Sequence, residues 1–219
     1  MDIPFMTIDG LIDLMNLREC DLTADKIADS LAKTNRFNGC TPVPWSVASH
    51  SILVSHICPP GLEAWGLLHD AHEFLLGDFS RPSVDFVARA CEYPSKFAVP
   101  IALDQAKAEI DDLIGFAWAL DEVADFGELT VADNIALAAE RFVFFGTEPV
   151  CHGTPDEDAF ERAVYLIHEL PKDTAWRAAR DLWLERARHL ASLGHLRLPA
   201  DGTQLVRDMR PATALEKMT

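Results

Sequence analysis

Trp45-Ser46-Val47-Ala48-Ser49-His50-Ser51-Ile52-Leu53-Val54-Ser55-His56-Ile57 is the stretch that decides the fold class. Ser46 is a good N-cap residue. Val47, His50, Val54 and Ile57 recur at helical spacing, and Pro59-Pro60-Gly61 ends the run. The stretch reads as a helix with an imidazole on its apolar face. Residues 62–76 continue in the same manner, with Gly77 as the stop, and carry His69-Asp70 and Glu73.

Working outward, Thr23 reads as the cap of a helix to about Lys33, followed by a turn over Asn35-Arg36-Phe37-Asn38-Gly39. Residues 7–22 read as a short helix or an extended segment. Residues 84–120 hold two or three helices, with breaks expected at Pro94 and Pro100. Thr130 is expected to cap a helix to Phe145, closed by Gly146; a polar loop over 146–158 and helices over 157–170 and 173–193 follow. The Trp176/Trp183 stripe reads as core or a dimer face. No strand alternation is convincing, so the class is all-α: one helical-bundle domain over 1–199, with a poorly ordered tail expected over 200–219.

The chain has 219 residues and a formal net charge of −16. Such acidity argues against a nucleic-acid polymer as ligand, because phosphate neutralisation needs clustered Lys and Arg. No apolar run approaches the roughly 18–20 residues that span a bilayer, and no basic leader precedes an apolar segment. Five scattered cysteines without a C-x-x-C argue against a disulfide framework or thiolate zinc site. A cytoplasmic protein without a membrane is the expectation.

His50, His69, Asp70 and Asp133 are metal-ligand types set in apolar helical stretches. A lone polar group there is costly to bury, whereas four can share one cation. Two imidazoles and two carboxylates suit a divalent ion such as Mn, Fe, Co, Ni or Zn. Each residue also has an ordinary reading: a hydrogen-bonded core histidine for His50, a chance dipeptide for His69-Asp70, and an acid favouring the helix dipole for Asp133. Glu73 lies i,i+4 from His69 and i,i+3 from Asp70, so the three side chains can converge.

The order His50, His69-Asp70, Asp133 resembles the HD-domain phosphohydrolase superfamily. Arg36-Phe37-Asn38-Gly39, Trp45-Ser46-Val47-Ala48-Ser49-His50-Ser51, His69-Asp70-Ala71-His72-Glu73 and Gly77-Asp78 resemble its 5′-deoxynucleotidase and deoxynucleoside triphosphate hydrolase branch, over roughly 20–146. The resemblance implies a divalent metal (Co, Mn, Zn, Fe, Ni or Mg) on His50, His69, Asp70 and Asp133. Asp70 also orients the attacking water. It implies that Glu73 assists proton transfer or, alternatively, fixes the tautomer of His69. Arg36 is then the phosphate-binding residue rather than a surface ion pair. Phe37, where related enzymes often have Trp, stacks on the nucleoside or belongs to the core. Asp78 lines the entrance or serves a turn. The implied substrate is a small nucleotide, dATP or a deoxynucleoside 5′-monophosphate, and the implied assembly a homo-oligomer in a bacterial cytosol, or a host cytosol if phage-encoded. His72 departs from the small residue common there and is expected to face solvent or a neighbouring helix. A mononuclear site follows from the matched segment. A di-iron oxygenase and a non-catalytic nucleotide-binding protein are the alternative readings.

Overall fold

Helix α2 (Val47–Ile57) is the element around which the others pack; every residue from Val47 to Ser55 is buried. A helix apolar on all sides belongs inside a bundle, and α2 joins two apolar clusters. The first gathers α1 (Ala24–Leu31), α3 (Glu63–Leu68), α6 (Ala98–Ala117) and α9 (Trp176–Ser192) around Ile27, Leu31, Leu67, Trp118 and Trp183. The second joins α7 (Gly127–Phe145) and α8 (Glu157–Glu169) around Trp45, Leu53, Ile135 and Ile167. Short α4 (Glu73–Leu76) and α5 (Arg81–Ala90) complete an all-α bundle. The computed structural model describes residues 2–91, 97–122, 126–148, 157–171 and 176–199. The tail expected over 200–219, Pro94 and most of the 146–158 loop lie outside them.

Local chemistry explains most boundaries. Ser46 Oγ accepts from the Ser49 N–H, capping α2. Gly146 ends α7 in the left-handed conformation, at φ 62°. Pro100 sits in the first turn of α6 instead of breaking the chain, because a first-turn residue owes no intrahelical donor. Thr130 is not a cap: α7 starts three residues earlier, and the Thr130 hydroxyl donates back to the Phe126 carbonyl. Of the Trp stripe, Trp183 belongs to the interior, where it meets Trp118 edge-on with centroids 5.9 Å apart, and Trp176 is partly buried at the edge of the same cluster.

Residues 7–22 contain no α-helix. Strands β1 (Pro4–Thr7) and β2 (Gly10–Asp13) form an antiparallel hairpin with Phe5 opposite Ile12 and Thr7 opposite Gly10, followed by two 3-10 turns. Among the described residues no helix is long and apolar enough to cross a membrane. Cys20, Cys40, Cys58 and Cys91 are free thiols.

The single helix expected over 62–76 is instead split. Between α3 and α4 the chain tightens: Ala71 N–H donates to Leu68 O, Glu73 N–H to Asp70 O and Phe74 N–H to Ala71 O. At three residues per turn, i and i+3 side chains eclipse. Gly66 lets α3 approach α2: a Cβ there would lie 2.7 Å from Cys58 Sγ and 3.0 Å from Ser55 Cα. Gly66→Ala is therefore expected to cost about 1–3 kcal/mol by overpacking, read as a lower urea midpoint; an unchanged midpoint would show that the two helices separate freely.

Candidate metal centre

Three segments bring the candidate residues together. Arg36 N–H donates to Trp45 O and Val47 N–H to Thr34 O, which ties the 34–36 segment to the start of α2. The chain turns away through left-handed Phe37 and Asn38, at φ 54° and 52°. His50 projects from α2, His69 and Asp70 from the tight turn after α3, and Asp133 from α7.

Their ligand atoms converge. His50 Nε2 is 3.0 Å from Asp133 Oδ1 and 3.6 Å from Asp70 Oδ2; His69 Nε2 is 3.2 Å from Asp70 Oδ2 and 3.7 Å from Asp133 Oδ1. The imidazole centroids are 5.2 Å apart. One ligand atom each from His50, His69 and Asp133 lies within 4.8 Å of the others. His50 is fully buried, whereas the Asp133 side chain is 40% exposed and opens the cluster to solvent.

Tautomers follow from the outer partners. His50 Nδ1 lies 2.7 Å from Glu140 Oε1, and His69 Nδ1 lies 2.9 Å from Gly66 O. A carboxylate and a carbonyl only accept, so both Nδ1 atoms carry protons. Each Nε2 then offers a lone pair toward a carboxylate oxygen. Lone pairs facing lone pairs need a proton or a cation between them, and His69 Nε2 is buried without a hydrogen-bond partner. Two neutral imidazoles and the ionised Asp133 carboxylate, with Asp70 Oδ2 beside both imidazoles, are able to hold a divalent metal.

Glu140 is the residue that sequence reasoning missed. Fully buried, it accepts at Oε1 from Trp45 Nε1 (2.7 Å) and His50 Nδ1 (2.7 Å), and at Oε2 from Arg36 Nε (3.1 Å) and Nη2 (3.0 Å). Burial opposes its charge, but Arg36, His50 and Trp45 hold its carboxyl below the ordinary value. The available signal was an acid in Ile135-Ala136-Leu137-Ala138-Ala139-Glu140, two helical turns after Asp133.

Arg36 is no surface ion pair. It is nearly buried, bound to Glu140 on one edge, with Nη1 3.5 Å from Asp70 Oδ2. Phe37 is half-buried beside Phe145, ring centroids 5.3 Å apart. Asp78 is half-buried in the loop after Gly77; burial and nearby Asp70 raise its pKa, while Arg36 opposes the rise. The tightened turn groups Glu73 with Asp70, as their i,i+3 spacing suggests, and adds His72. Burial, then the Asp70 and Asp78 charges, push the Glu73 carboxyl up to about 9. His72 faces a neighbouring helix, its Nδ1 2.9 Å from Asp111 Oδ1 on α6.

Without metal, protons must take the place of a cation. Burial disfavours charged His50 and His69, yet neighbouring carboxylates raise both pKa values. Burial likewise opposes ionised Asp70 and Asp133, which the imidazoles hold well below the ordinary carboxylate range. Groups with raised values contribute stability below their unfolded pKa, about 4.3 for Glu73 and about 6.5 for the histidines, and lose it as pH rises. The lowered carboxylates contribute above about pH 4 and lose it in stronger acid. The melting temperature in EDTA is thus expected to fall from about pH 5 to pH 9, and Mn²⁺ to restore it at the alkaline end. Equal melting curves with and without Mn²⁺ at pH 8.5 would contradict this.

Comparison with known proteins adds little. No family model matches the chain. An uncharacterized protein of Rhodobacter capsulatus is 40% identical over 80 residues, covering 32% of this chain and 41% of the relative. The chain thus spans less than half the length of that relative.

Proposed function

We propose that the chain is a divalent-metal-dependent phosphohydrolase of HD-domain type acting on a small nucleotide, with dATP or a deoxynucleoside 5′-monophosphate as leading candidates. One observation carries the proposal: His50, His69 and Asp133, from three separate segments, bring ligand atoms within 4.8 Å of one another, Asp70 Oδ2 lies 3.6 and 3.2 Å from the two imidazole Nε2 atoms, and both imidazole tautomers suit ligation. When bound there, a divalent ion polarises a phosphoryl oxygen and makes water a nucleophile near neutral pH.

The remaining roles belong to the chain. Asp70 Oδ2, within 3.6 Å of both imidazoles and Arg36, orients the attacking water in this reading. Glu140 holds the Nε edge of Arg36, so Nη1 meets a phosphate oxygen on the Asp70 side. Glu73 keeps its proton at neutral pH and delivers it to the leaving oxygen. Phe37, near the end of α7, offers a face to the base or sugar, and Asp78 borders the entrance. A net charge of −16 favours a small ligand, whose phosphate charge a metal and Arg36 offset locally.

The test incubates the purified chain with Mn²⁺, Co²⁺, Zn²⁺, Ni²⁺, Fe²⁺ or Mg²⁺ and a panel of nucleoside mono-, di- and triphosphates, identifying the released phosphate species. Phosphate or triphosphate release that EDTA abolishes is expected; no turnover under any pairing refutes the assignment. Glu73→Gln is expected to lose about 10²–10⁴ of the rate while the ion on the two imidazoles stays bound. Full activity in that variant would remove Glu73 from proton transfer.

A further inference from the structure

We propose that His72 and Glu73 form, with Asp70 as the shared ligand, a second divalent-cation site beside the first. One ligand atom from each of the three lies within 4.8 Å of the others. His72 and Glu73 are each only 5% exposed. His72 Nε2 and Glu73 Oε2 are both buried with no hydrogen-bond partner among the described residues. Native interiors leave only a few such atoms per roughly 100 residues; Arg180 Nε, Trp183 Nε1 and His195 Nδ1 are others among the described residues, but of these atoms only those of His72 and Glu73 lie in adjacent residues. Two in adjacent residues, grouped with a carboxylate that also faces His50 and His69, supply a ligand set for a cation.

The outer partner fits as well. His72 Nδ1 lies 2.9 Å from Asp111 Oδ1 on α6, so Nδ1 carries the proton and Nε2 presents its lone pair. A carboxylate fixing the far nitrogen of an imidazole is the usual support of a metal-ligating histidine. The tight turn after α3 supplies the juxtaposition, because eclipsed i and i+3 positions put Glu73 in line with Asp70. One imidazole and two carboxylates form an oxygen-rich set, suited to Mn²⁺, Fe²⁺ or Mg²⁺. The site rests on Asp70 belonging to the first metal centre. Occupied, it converts Glu73 from proton carrier to ligand, so the two roles of Glu73 belong to two levels of cation loading.

The experiment counts ions rather than turnover. The full chain, stripped with EDTA, is equilibrated with Mn²⁺ up to millimolar concentration; bound Mn²⁺ is measured by equilibrium dialysis and by X-band EPR. Two Mn²⁺ per chain with an exchange-broadened spectrum are expected. His72→Gln and Glu73→Gln should each bind one, with the isolated six-line signal. Asp111→Asn should weaken the second ion about 10–100-fold and leave the first unchanged. Circular dichroism and melting curves verify folding, and Asp111→Asn, outside both ligand sets, keeps the test decisive if a ligand variant unfolds. Saturation of wild type at one Mn²⁺, two Mn²⁺ retained in His72→Gln, or two bound ions without magnetic coupling would each overturn the proposal. Because the readout is stoichiometry, absence of nucleotide turnover with two coupled ions would refute the hydrolase reading and leave this site standing; turnover with a single ion would do the reverse.

Discussion

Asp70→Asn is expected to abolish both metal retention and hydrolysis while leaving the helical fold in place. Asp70 Oδ2 lies 3.2 Å from His69 Nε2, 3.6 Å from His50 Nε2 and 3.5 Å from Arg36 Nη1, so one oxygen faces both imidazoles and the guanidinium of the centre. Asparagine keeps the shape and removes the charge. Arg36 stays paired through its two bonds to Glu140, so no buried guanidinium is stranded. Loss of the bound ion removes several kcal/mol of transition-state stabilisation, about 10³-fold or more in rate. Metal content after dialysis, the Mn²⁺-dependent rise in melting temperature and phosphate release should fall together. Wild-type metal content in Asp70→Asn would show that the two imidazoles and Asp133 suffice, and would separate the ion from the proposed orientation of water.

The parts of this architecture visible in the sequence are those where one residue announces its environment. His50 is legible because an imidazole in Val47–Ile57, capped by Ser46 and stopped by Pro59-Pro60-Gly61, has no inexpensive place unless it is bonded. Asp133 is legible on the same ground, although the cap assigned to Thr130 was wrong: a threonine inside a helix satisfies itself by donating back one turn, and sequence does not separate the two uses. The 4–13 hairpin was legible only as an open choice between a short helix and an extended segment over 7–22, because four-residue strands with a two-residue loop are too short to show a period. The break at 69–72 escaped for a different reason. Apolar spacing runs on through Leu67, Leu68, Ala71, Phe74 and Leu75, and the switch from i−4 to i−3 hydrogen bonds leaves composition untouched. That switch bears on the chemistry, since it groups His72 with Asp70 and Glu73.

Glu140 carries the second large expectation. Four donor atoms from three residues converge on its two oxygens, and no part of the side chain reaches solvent. Glu140→Ala strands Trp45 Nε1, His50 Nδ1 and the Nε edge of Arg36. Breaking a buried charge pair by removing one partner costs about 3–5 kcal/mol, a large share of the roughly 5–15 kcal/mol that holds a domain folded. The loss should appear as a strongly lowered urea midpoint, if the variant folds at all. Glu140→Gln is the gentler probe: it keeps volume and one acceptor, and should weaken Mn²⁺ about 10–100-fold by loosening the hold on the His50 tautomer. The sign of the pH effect distinguishes charge from shape. Because the folded-state pKa of Glu140 is depressed, its contribution is present above about pH 4.3 and disappears as pH falls through the depressed value. The stability gap between wild type and Glu140→Gln should therefore narrow in acid, as Glu140 becomes protonated. A gap that is constant down to strong acid would assign Glu140 a packing role alone, and unchanged Mn²⁺ affinity in Glu140→Gln would separate it from the metal centre.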